Sequence, residues 1–490
     1  MHTPFFPGLR PMLAPMGSRP QNTARAFRQA TLSQIEQTLA PALPAQLLDP
    51  PVAGDHSRQR VFPLPRTFWC WIWQVFQANT SCREVVRQVQ AMLALLPHAA
   101  IDESTSAYCQ ARGKLPLPLL QKAFAASGRS AEKLAPAGRL LQARPVKIVD
   151  GSSVRLHDTA KNRESCPAAS NQFGGPGFPL MRILGLFSLA SGALLAHLTS
   201  SLNTAEVRLL MRLEEHFQSG DILVADRAYG HYVLIHWLNT LGVDLVARLN
   251  ARSRRVDFRT TSKRLGSGDG LFVWHKPKLP SKLLSPEQWE QVPETLTVRI
   301  LHVRLHKPGF RTRELTLVTS LLDARLYPAE EILETYFKRW RLEMCLDDLK
   351  TTLGLEMLGC KSPALVQKEL LIYLTAHNFI RWIIAQAAQA GNVELERISF
   401  KGTLDAFRQW TQALVQVRGP GKQGKQKRLW RKLLETLAAD RVPHRPERQE
   451  PRAVKKRSKY PHLNKSRRTY VERWSRNKRR RAARAKNNGR

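Results

Sequence analysis

The sequence predicts an α/β protein in which a mixed sheet carries helices on its faces and helical regions flank the sheet. Three observations favour this fold class. Short runs of β-branched and apolar residues alternate with segments of helical period between residues 146 and 250. A Gly- and Lys-rich stretch then interrupts the alternation, and the two ends of the chain have mainly helical patterns. The 490 residues exceed the size of one typical core, so several domains are expected.

Five apolar runs are the predicted strands of this sheet. VKIVDGSSVRL at 146–156 comes first, and RILGLFSLA and ALLAHLTS form a hairpin around Ser191-Gly192. DILVADRAYG at 221–230 and VDLVARLN at 243–250 each follow a segment of helical period. The resulting order, β-β-β-α-β-α-β, suits a mixed sheet with helices on its faces.

The changes of pattern also predict the domain boundaries. The expected regions are a mostly helical N-terminal region at 1–140, the first part of the core at 141–250, a β-rich insertion at 251–314, the second part of the core at 315–415 and a basic C-terminal region and tail at 416–490. The basic residues of the N-terminal helices fit a DNA-binding domain, and they fit the solvated face of an ordinary helical bundle equally well.

The charge balance indicates a polyanionic partner. The chain has 77 Lys and Arg against 39 Asp and Glu, a formal net charge of +38, which excludes an acidic solvating protein. Residues 418–490 hold 27 of the basic and 5 of the acidic side chains, so the rest of the chain is also strongly basic. The tail would be attracted to phosphates without reading sequence. A disordered, solvated tail is the alternative interpretation.

The six cysteines are scattered, without a CxxC pair or zinc-like spacing, which favours a reduced intracellular protein. The most apolar long segment, 369–390, contains His377, Asn378 and Arg381 and therefore resembles a buried helix more than a membrane span. We expect no membrane association and a cytoplasmic location.

Four polar residues share one stripe of the helix predicted after Pro328. At about 100° per residue, Tyr336, Arg339, Glu343 and Lys350 fall within about 60° of one another. Apolar residues flank the stripe on both sides, with Leu333, Phe337, Trp340 and Met344 on one flank. The stripe should therefore face protein or a cleft, where charged groups need partners or a function. A structural salt-bridged seam is the alternative, because Arg339 and Glu343 form an i,i+4 pair.

Two aspartates end buried strands. Asp150 follows VKIV and Asp226 follows ILVA, and such positions project into the crevice where open α/β sheets place their sites. Together with Glu343 they could hold two divalent ions about 4 Å apart, and oxygen ligands favour Mg²⁺ or Mn²⁺. Asp158 and Asp347 are rival carboxylates of lower rank.

The spacing Tyr336-x2-Arg339-x3-Glu343-x6-Lys350, within YFKRWRLEMCLDDLK, resembles the YREK signature of the insertion-sequence-4 family of bacterial DDE transposases. KIVDGSSVRLHDT is similar to the family segment with the first catalytic aspartate, and VADRAYG to the segment with the second. The similarity extends over roughly residues 146–463 and does not include the last basic extension.

The resemblance implies an RNase H-like catalytic core interrupted by a β-rich insertion. It assigns Asp150, Asp226 and Glu343 to catalysis and metal binding, with two Mg²⁺ ions for which Mn²⁺ can substitute. It assigns contacts with the phosphates and bases of the transposon end to Tyr336, Arg339 and Lys350. By the same analogy a tryptophan of the insertion stacks on a flipped base. Trp274 and Trp289 are the candidates, and both equally fit core positions.

The expected function is therefore DNA transposition of a bacterial insertion sequence. The protein would bind terminal inverted repeats of double-stranded DNA as a homodimer, cleave at the element ends and join the 3′-OH ends to target DNA, in the cytoplasm at the nucleoid. Two alternatives remain open, a catalytically inactive transposase-derived DNA-binding protein and an RNase H-like nuclease without strand transfer.

Overall fold

The computed structural model describes residues 32–57, 61–78, 80–93, 102–136, 138, 140–168, 177–249, 256–304, 314–416 and 421–443. The basic tail at 464–490 lies outside the described residues. The chain divides into two compact units. The sheet unit contains Pro136–Lys350 and Leu355–Leu370, and the helical unit contains the described parts of Met1–Ala135, Thr351–Gly354 and Leu371–Pro443.

The sheet unit is built on ten strands. They are β1 Val146–Leu156, β2 Leu180–Ser188, β3 Leu194–Ser201, β4 Ile222–Ala225, β5 Asp244–Arg248, β6 Lys263–Gly266, β7 Asp269–His275, β8 Thr295–Arg304, β9 Glu314–Thr319 and β10 Met357–Leu358. They form one sheet in the order β3-β2-β1-β4-β5-β9-β8-β7-β6, with β10 paired to β1. Short helices connect them, and in chain order among all helices these are α6 Ala160–Ser165, α7 Glu206–Met211, α8 Tyr232–Thr240 and α9 Pro286–Glu290.

The first five strands have the topology of an RNase H-like core. Strands β1, β2 and β3 are antiparallel neighbours, whereas β4 and β5 run parallel to β1 and are reached through helices α7 and α8. The predicted order β-β-β-α-β-α-β and the predicted fold class are confirmed. All four residues of β4 are buried, as expected for a central parallel strand with helices on both faces.

The residues predicted as a β-rich insertion extend the same sheet instead of forming a separate one. Strands β6, β7 and β8 are antiparallel neighbours, and β9 joins them to β5. A buried ion pair holds this extension together, with two hydrogen bonds of 2.9 and 2.6 Å from the Arg299 guanidinium to the Asp269 carboxylate. Arg299 also donates to the carbonyl of Tyr327, just before the signature helix.

The signature segment is less regular than the sequence predicted. One helix was expected from Pro328 to Gly354, but the structure has α10 Ala329–Phe337, α11 Trp340–Asp347 and a π-helical turn Asp348–Thr352. Between α10 and α11, the amide of Arg339 donates to the carbonyl of Tyr336, three residues back, so the chain tightens locally. A wheel with a constant 100° step therefore fails for Lys350, which lies in the wider π turn.

The expected apolar flank of the signature helix is also different. Phe337, Trp340 and Met344 were placed on a flank that faces protein, but they are 38, 59 and 53% exposed. The buried side chains among those described in the segment include Ile332, Thr335, Tyr336, Cys345 and Leu349. The signature helix thus leaves an apolar strip open beside its polar residues.

The helical unit contains α1 Leu32–Leu39, α2 Leu64–Phe76, α3 Cys82–Leu93, α4 Ser106–Lys114, α5 Leu117–Leu134, α12 Pro363–Gly391 from Leu371 onward, α13 Phe400–Gln416 and α14 Gln423–Ala439. Trp69 of α2 stacks on Phe379 of α12 at 5.9 Å. Residues 371–415 were predicted in the second part of the core, whereas the structure groups them in one compact unit with the N-terminal helices. Within the described ranges, no helix is both long and apolar enough to cross a membrane.

Candidate active site at the strand edge

The two predicted aspartates lie together because two neighbouring parallel strands carry them. Strands β1 and β4 pair in parallel register, with Ile148 opposite Val224, so both chains reach the same edge of the sheet. Asp150 comes two residues after Ile148, and Asp226 follows the last residue of β4. Each carboxylate accepts one backbone hydrogen bond, from Gly151 at 2.8 Å and from Ala228 at 2.7 Å respectively.

The electrostatics of this edge disfavour negative charge. Burial raises the pKa of Asp150 to about 6, and the neighbouring carboxylates of Asp226 and Glu206 add to the shift. The hydrogen bond from Gly151 and the guanidinium of Arg339 oppose it. Several carboxylates therefore lie close enough together to repel one another, and the two aspartates among them are oxygen donors suited to a hard divalent cation.

The loop after β4 packs closely against β5. Tyr229 is fully buried, and its amide donates to the carbonyl of Asp226 at 3.3 Å. A Cβ at Gly230 would lie 3.0 Å from the carbonyl oxygen of Arg248, so glycine allows the loop to approach β5. The sequence DRAYG thus holds Asp226 in place by local backbone geometry.

Arg339 is the central cation of the signature helix. It donates to Glu343 at 3.2 Å, and its guanidinium lies 5.9 Å from the centre of the Tyr336 ring. Its charge also acts on Asp150, so the signature helix faces the strand edge. The buried Nε of Arg339 has no hydrogen-bond acceptor among the described residues. A buried guanidinium N–H without an acceptor can donate a hydrogen bond to a phosphate oxygen.

Glu343 does not join the aspartates in this structure. Its side chain is 42% exposed and forms the ion pair with Arg339. In the part of the chain that the structure describes, no group of three or more His, Cys, Asp and Glu side chains is close enough to hold a metal ion. The structure thus brings two of the three predicted metal ligands together and leaves the third on its arginine.

The remaining predicted contacts differ in their surroundings. Tyr336 is only 7% exposed, so its ring packs inside the protein. Lys350 is partly exposed, and no hydrogen bond or ion pair joins its side chain to another described residue. Trp274 is 7% exposed and lies in the hydrophobic core of the sheet. A core position was the alternative to base stacking that the sequence left open for this residue. Trp289 is partly buried, with Lys276 Nζ 5.1 Å from its ring centre.

The rival carboxylates are engaged elsewhere or exposed. Asp158 forms a salt bridge with Arg163, with one of its hydrogen bonds at 2.7 Å. Asp347 is exposed on α11. Neither is among the groups that shift the pKa of Asp150.

Two residues near this edge, and the exposure of one residue of the signature helix, were not predicted from the sequence. Arg248 ends β5, and its charge acts on Tyr336. The strand-end argument that selected the aspartates would have found it in VDLVAR. Glu206 acts on Asp150 from the first turn of α7, where an acidic residue is ordinary and gives no signal. Trp340 was assigned to a packed flank but is the most exposed aromatic residue of the signature helix.

Comparison with known proteins decides the family. Residues 141–379 match the family model described as "Transposase DDE domain". Over 422 residues the chain is 25% identical to "Transposase InsG for insertion sequence element IS4" of Escherichia coli (strain K12), covering 82% of this chain and 88% of that protein. On these matches the chain is a DDE transposase similar to that of insertion sequence element IS4. It is a DNA transposase, an enzyme that cleaves DNA and transfers strands.

Among solved structures, the transposase is similar to a chain in "Cryo-EM structure of piggyBac transposase synaptic complex with hairpin DNA (SNHP)". The identity is 7% and the TM-score is 0.40, with 86% of each chain covered. Enzymes with a DDE domain work with divalent metal ions, and the aspartate edge provides oxygen ligands of the required kind.

Proposed function

We propose that this transposase binds the terminal inverted repeats of its element, hydrolyses one strand at each end and joins the freed 3′-OH to target DNA. The observation that carries the proposal is the strand edge with Asp150 and Asp226, faced by the buried, acceptor-free Nε of Arg339. Carboxylates for metal beside a guanidinium for phosphate are the components that phosphodiester chemistry needs.

Asp150 and Asp226, with Glu343 as third ligand, would hold two Mg²⁺ ions, for which Mn²⁺ can substitute. When bound, the ions supply the positive charge that activates the attacking oxygen and stabilises the leaving oxygen. The two aspartates suit this role as they lie, because each already accepts one backbone hydrogen bond that orients its carboxylate. Glu343 suits this role only after its carboxylate leaves Arg339.

Arg339 would exchange the Glu343 carboxylate for a DNA phosphate when the transposon end binds. A phosphate of the transposon end offers the planar guanidinium two oxygens and satisfies the buried Nε, which Glu343 does not reach in this structure. Binding of phosphate by Arg339 would then free the Glu343 carboxylate to turn toward the strand edge. The Tyr336 ring, whose centre lies 5.9 Å from the guanidinium, would support it through a cation–π contact.

Further cations and one aromatic residue would hold the DNA end. Lys350 and Arg248 lie on the signature segment and at the end of β5, and both can approach phosphates. Trp340 is 59% exposed and next in sequence to Arg339, so its indole is free to pack on an unstacked base. Trp274, 7% exposed, would reach a base only if the insertion rearranged.

Sequence-independent DNA contacts would come from the helical unit and the tail. Helix α14 exposes Lys425, Arg428 and Lys432, whereas Leu433 and Leu437 of the same helix are buried. Such a cationic face attracts phosphates of any duplex. We further propose a homodimer in the active complex, because an element has two ends, and a location at the bacterial nucleoid, where the substrate is.

The test is incubation with the element's inverted repeats and Mg²⁺, with cleavage and joining scored on the same gel. Cleavage at both ends and joined products are the expected results. Cleavage without joining would indicate a nuclease, and specific binding without cleavage would indicate an inactive DNA-binding protein. Either result would overturn the proposal.

A further inference from the structure

The carboxylate of Glu206 lies against the backbone of the strand that carries Asp150. Glu206 is the first residue of α7, on the segment after β3. A Cβ built on Gly151 would lie 2.4 Å from both Cδ and Oε1 of Glu206, far inside van der Waals contact. Gly151 is thus a residue whose missing side chain makes room for this carboxylate.

Two further side chains hold the Glu206 carboxylate in that position. The hydroxyl of Tyr229 donates to Oε2 at 3.4 Å, and Arg182 Nε forms an ion pair with Oε1 at 3.7 Å. Arg182 itself lies in β2 opposite Ser153 of β1 and donates to the carbonyl of Thr204. The carboxylate is therefore held from strand β2 and from the loop after β4.

These contacts connect the two aspartates through one side chain. Tyr229 is three residues after Asp226, in a fully buried position of the same loop. Gly151 is the residue next to Asp150. We propose that Glu206 is a positioning residue that fixes the spacing between Asp150 and Asp226. This inference rests on the proposed function, because the spacing matters only if the two carboxylates share the metal site.

Two simpler roles for Glu206 fit less well. An acidic residue that only stabilises the first turn of a helix needs no glycine opposite it and no tyrosine partner. A direct metal ligand needs carboxylate oxygens that are free for the ion, whereas both oxygens of Glu206 already have a protein partner, Tyr229 at Oε2 and Arg182 at Oε1. Glu206 is bound on both sides by protein partners, which suits a residue that supports other ligands.

The first test uses stability alone and needs no DNA. Gly151→Ala should lower the urea midpoint of the wild-type protein, because the new Cβ displaces the Glu206 carboxylate from its partners. In a Glu206→Ala background the same Gly151→Ala change should cost much less, because the space is then free. Equal costs in both backgrounds would overturn the contact on which the inference rests.

The second test separates positioning from simple stability. Glu206→Ala should raise the Mg²⁺ concentration for half-maximal cleavage by about tenfold or more, as loss of a residue that orients metal ligands does. Mn²⁺ affinity of the DNA-free protein should fall in parallel. Glu206→Gln, which can still accept from Tyr229, should recover most of both losses. Glu214→Ala removes an exposed glutamate nearby and should change neither.

Two results would overturn the inference. An unchanged Mg²⁺ dependence in Glu206→Ala, measured well below its melting temperature, would leave only a structural role. Complete loss of cleavage at every metal concentration would make Glu206 a ligand. Failure of the proposed function is distinguishable from both, because the wild-type protein would then not cleave the inverted repeats at all.

Discussion

The strand edge and the signature helix supply different kinds of site residue. Asp150 lies in β1 and Asp226 directly follows β4, and the parallel pairing of these strands brings both residues to the same edge of the sheet before any ligand binds. Glu343 lies on a helical segment that tightens before α11 and widens into a π turn after it, and its carboxylate is held by Arg339. Of the proposed metal ligands, the two at the sheet edge already lie together, whereas the one on the helix is paired with an arginine.

This difference suggests how such an enzyme avoids cleaving DNA that is not a transposon end. In the proposed mechanism, the two aspartates alone would bind metal weakly as long as Glu343 stays paired with Arg339. Arrival of a phosphate at Arg339 would complete the site. The account therefore predicts different consequences for changes at the sheet and changes at the helix.

The largest expected effect is loss of cleavage when any one of the three carboxylates is removed. Asp150→Ala, Asp226→Ala and Glu343→Ala should each abolish cleavage of the inverted repeats, while end binding survives because phosphate contacts dominate affinity. The wild-type protein should be inactive with EDTA or Ca²⁺ and active with Mg²⁺ or Mn²⁺. Full cleavage by Glu343→Ala would remove the helix from the site, and Asp347 would be the next carboxylate to test.

The two tryptophans should separate stability from DNA binding. Trp274→Ala, in the core of the sheet, should lower the free energy of unfolding by about 3–5 kcal/mol. Trp340→Ala, on the exposed strip of the signature helix, should leave stability nearly unchanged and weaken the complex with cleaved ends by about 1–3 kcal/mol. Urea denaturation and end-binding assays on both variants provide the measurements. A stability loss in Trp340→Ala together with a binding loss in Trp274→Ala would instead indicate that Trp274 of the insertion stacks on the base.

The stability of the strand edge should depend on pH through Asp150. Burial raises the pKa of this carboxyl from 3.8 to about 6, which corresponds to at most about 3 kcal/mol. The stability that the group contributes is complete below about pH 3.8 and is lost as the pH rises through about 6. Asp150→Asn should therefore be more stable than wild type at pH 7 without metal, and the difference should vanish near pH 4. Thermal melting across this range checks it.

The smallest expected effect is the stability cost of Arg339→Ala. Glu343 is 42% exposed, so its ion pair with Arg339 should contribute about 1 kcal/mol or less. A structural seam with both charges buried would cost about 3–5 kcal/mol instead. Strand transfer should slow markedly in Arg339→Ala, and Arg339→Lys should recover little of the rate, since lysine lacks the planar fork. Large melting losses with normal transfer would favour the structural seam.

Much of the strand edge could be predicted from the sequence because it depends on local patterns. Buried apolar runs identify the strands, and the residue after each run identifies the aspartates. The same rule would have found Arg248 had it been applied to the fifth strand. The fold class and the order of strands follow from alternation alone, and both are confirmed.

The helical part of the site could be predicted less well, for identifiable reasons. A constant angular step cannot represent the tightening at Arg339 or the π turn at Lys350, so the wheel misplaced the flanks of the stripe. Helical period shows that Phe337, Trp340 and Met344 share a face, but not whether other residues cover it. Glu206 gave no signal because its contacts with Gly151 and Tyr229 are distant in sequence.

The most direct test of the proposed release of Glu343 from Arg339 is Mn²⁺ binding by the wild-type protein with and without a pre-cleaved transposon end. The account predicts tighter Mn²⁺ binding when the DNA end is present, after subtraction of binding to DNA alone, because the phosphate releases Glu343 from Arg339. In Arg339→Ala, Mn²⁺ binding without DNA should already be tighter than in wild type. Equal Mn²⁺ affinity of the wild-type protein in both conditions, and no change in Arg339→Ala, would contradict the account.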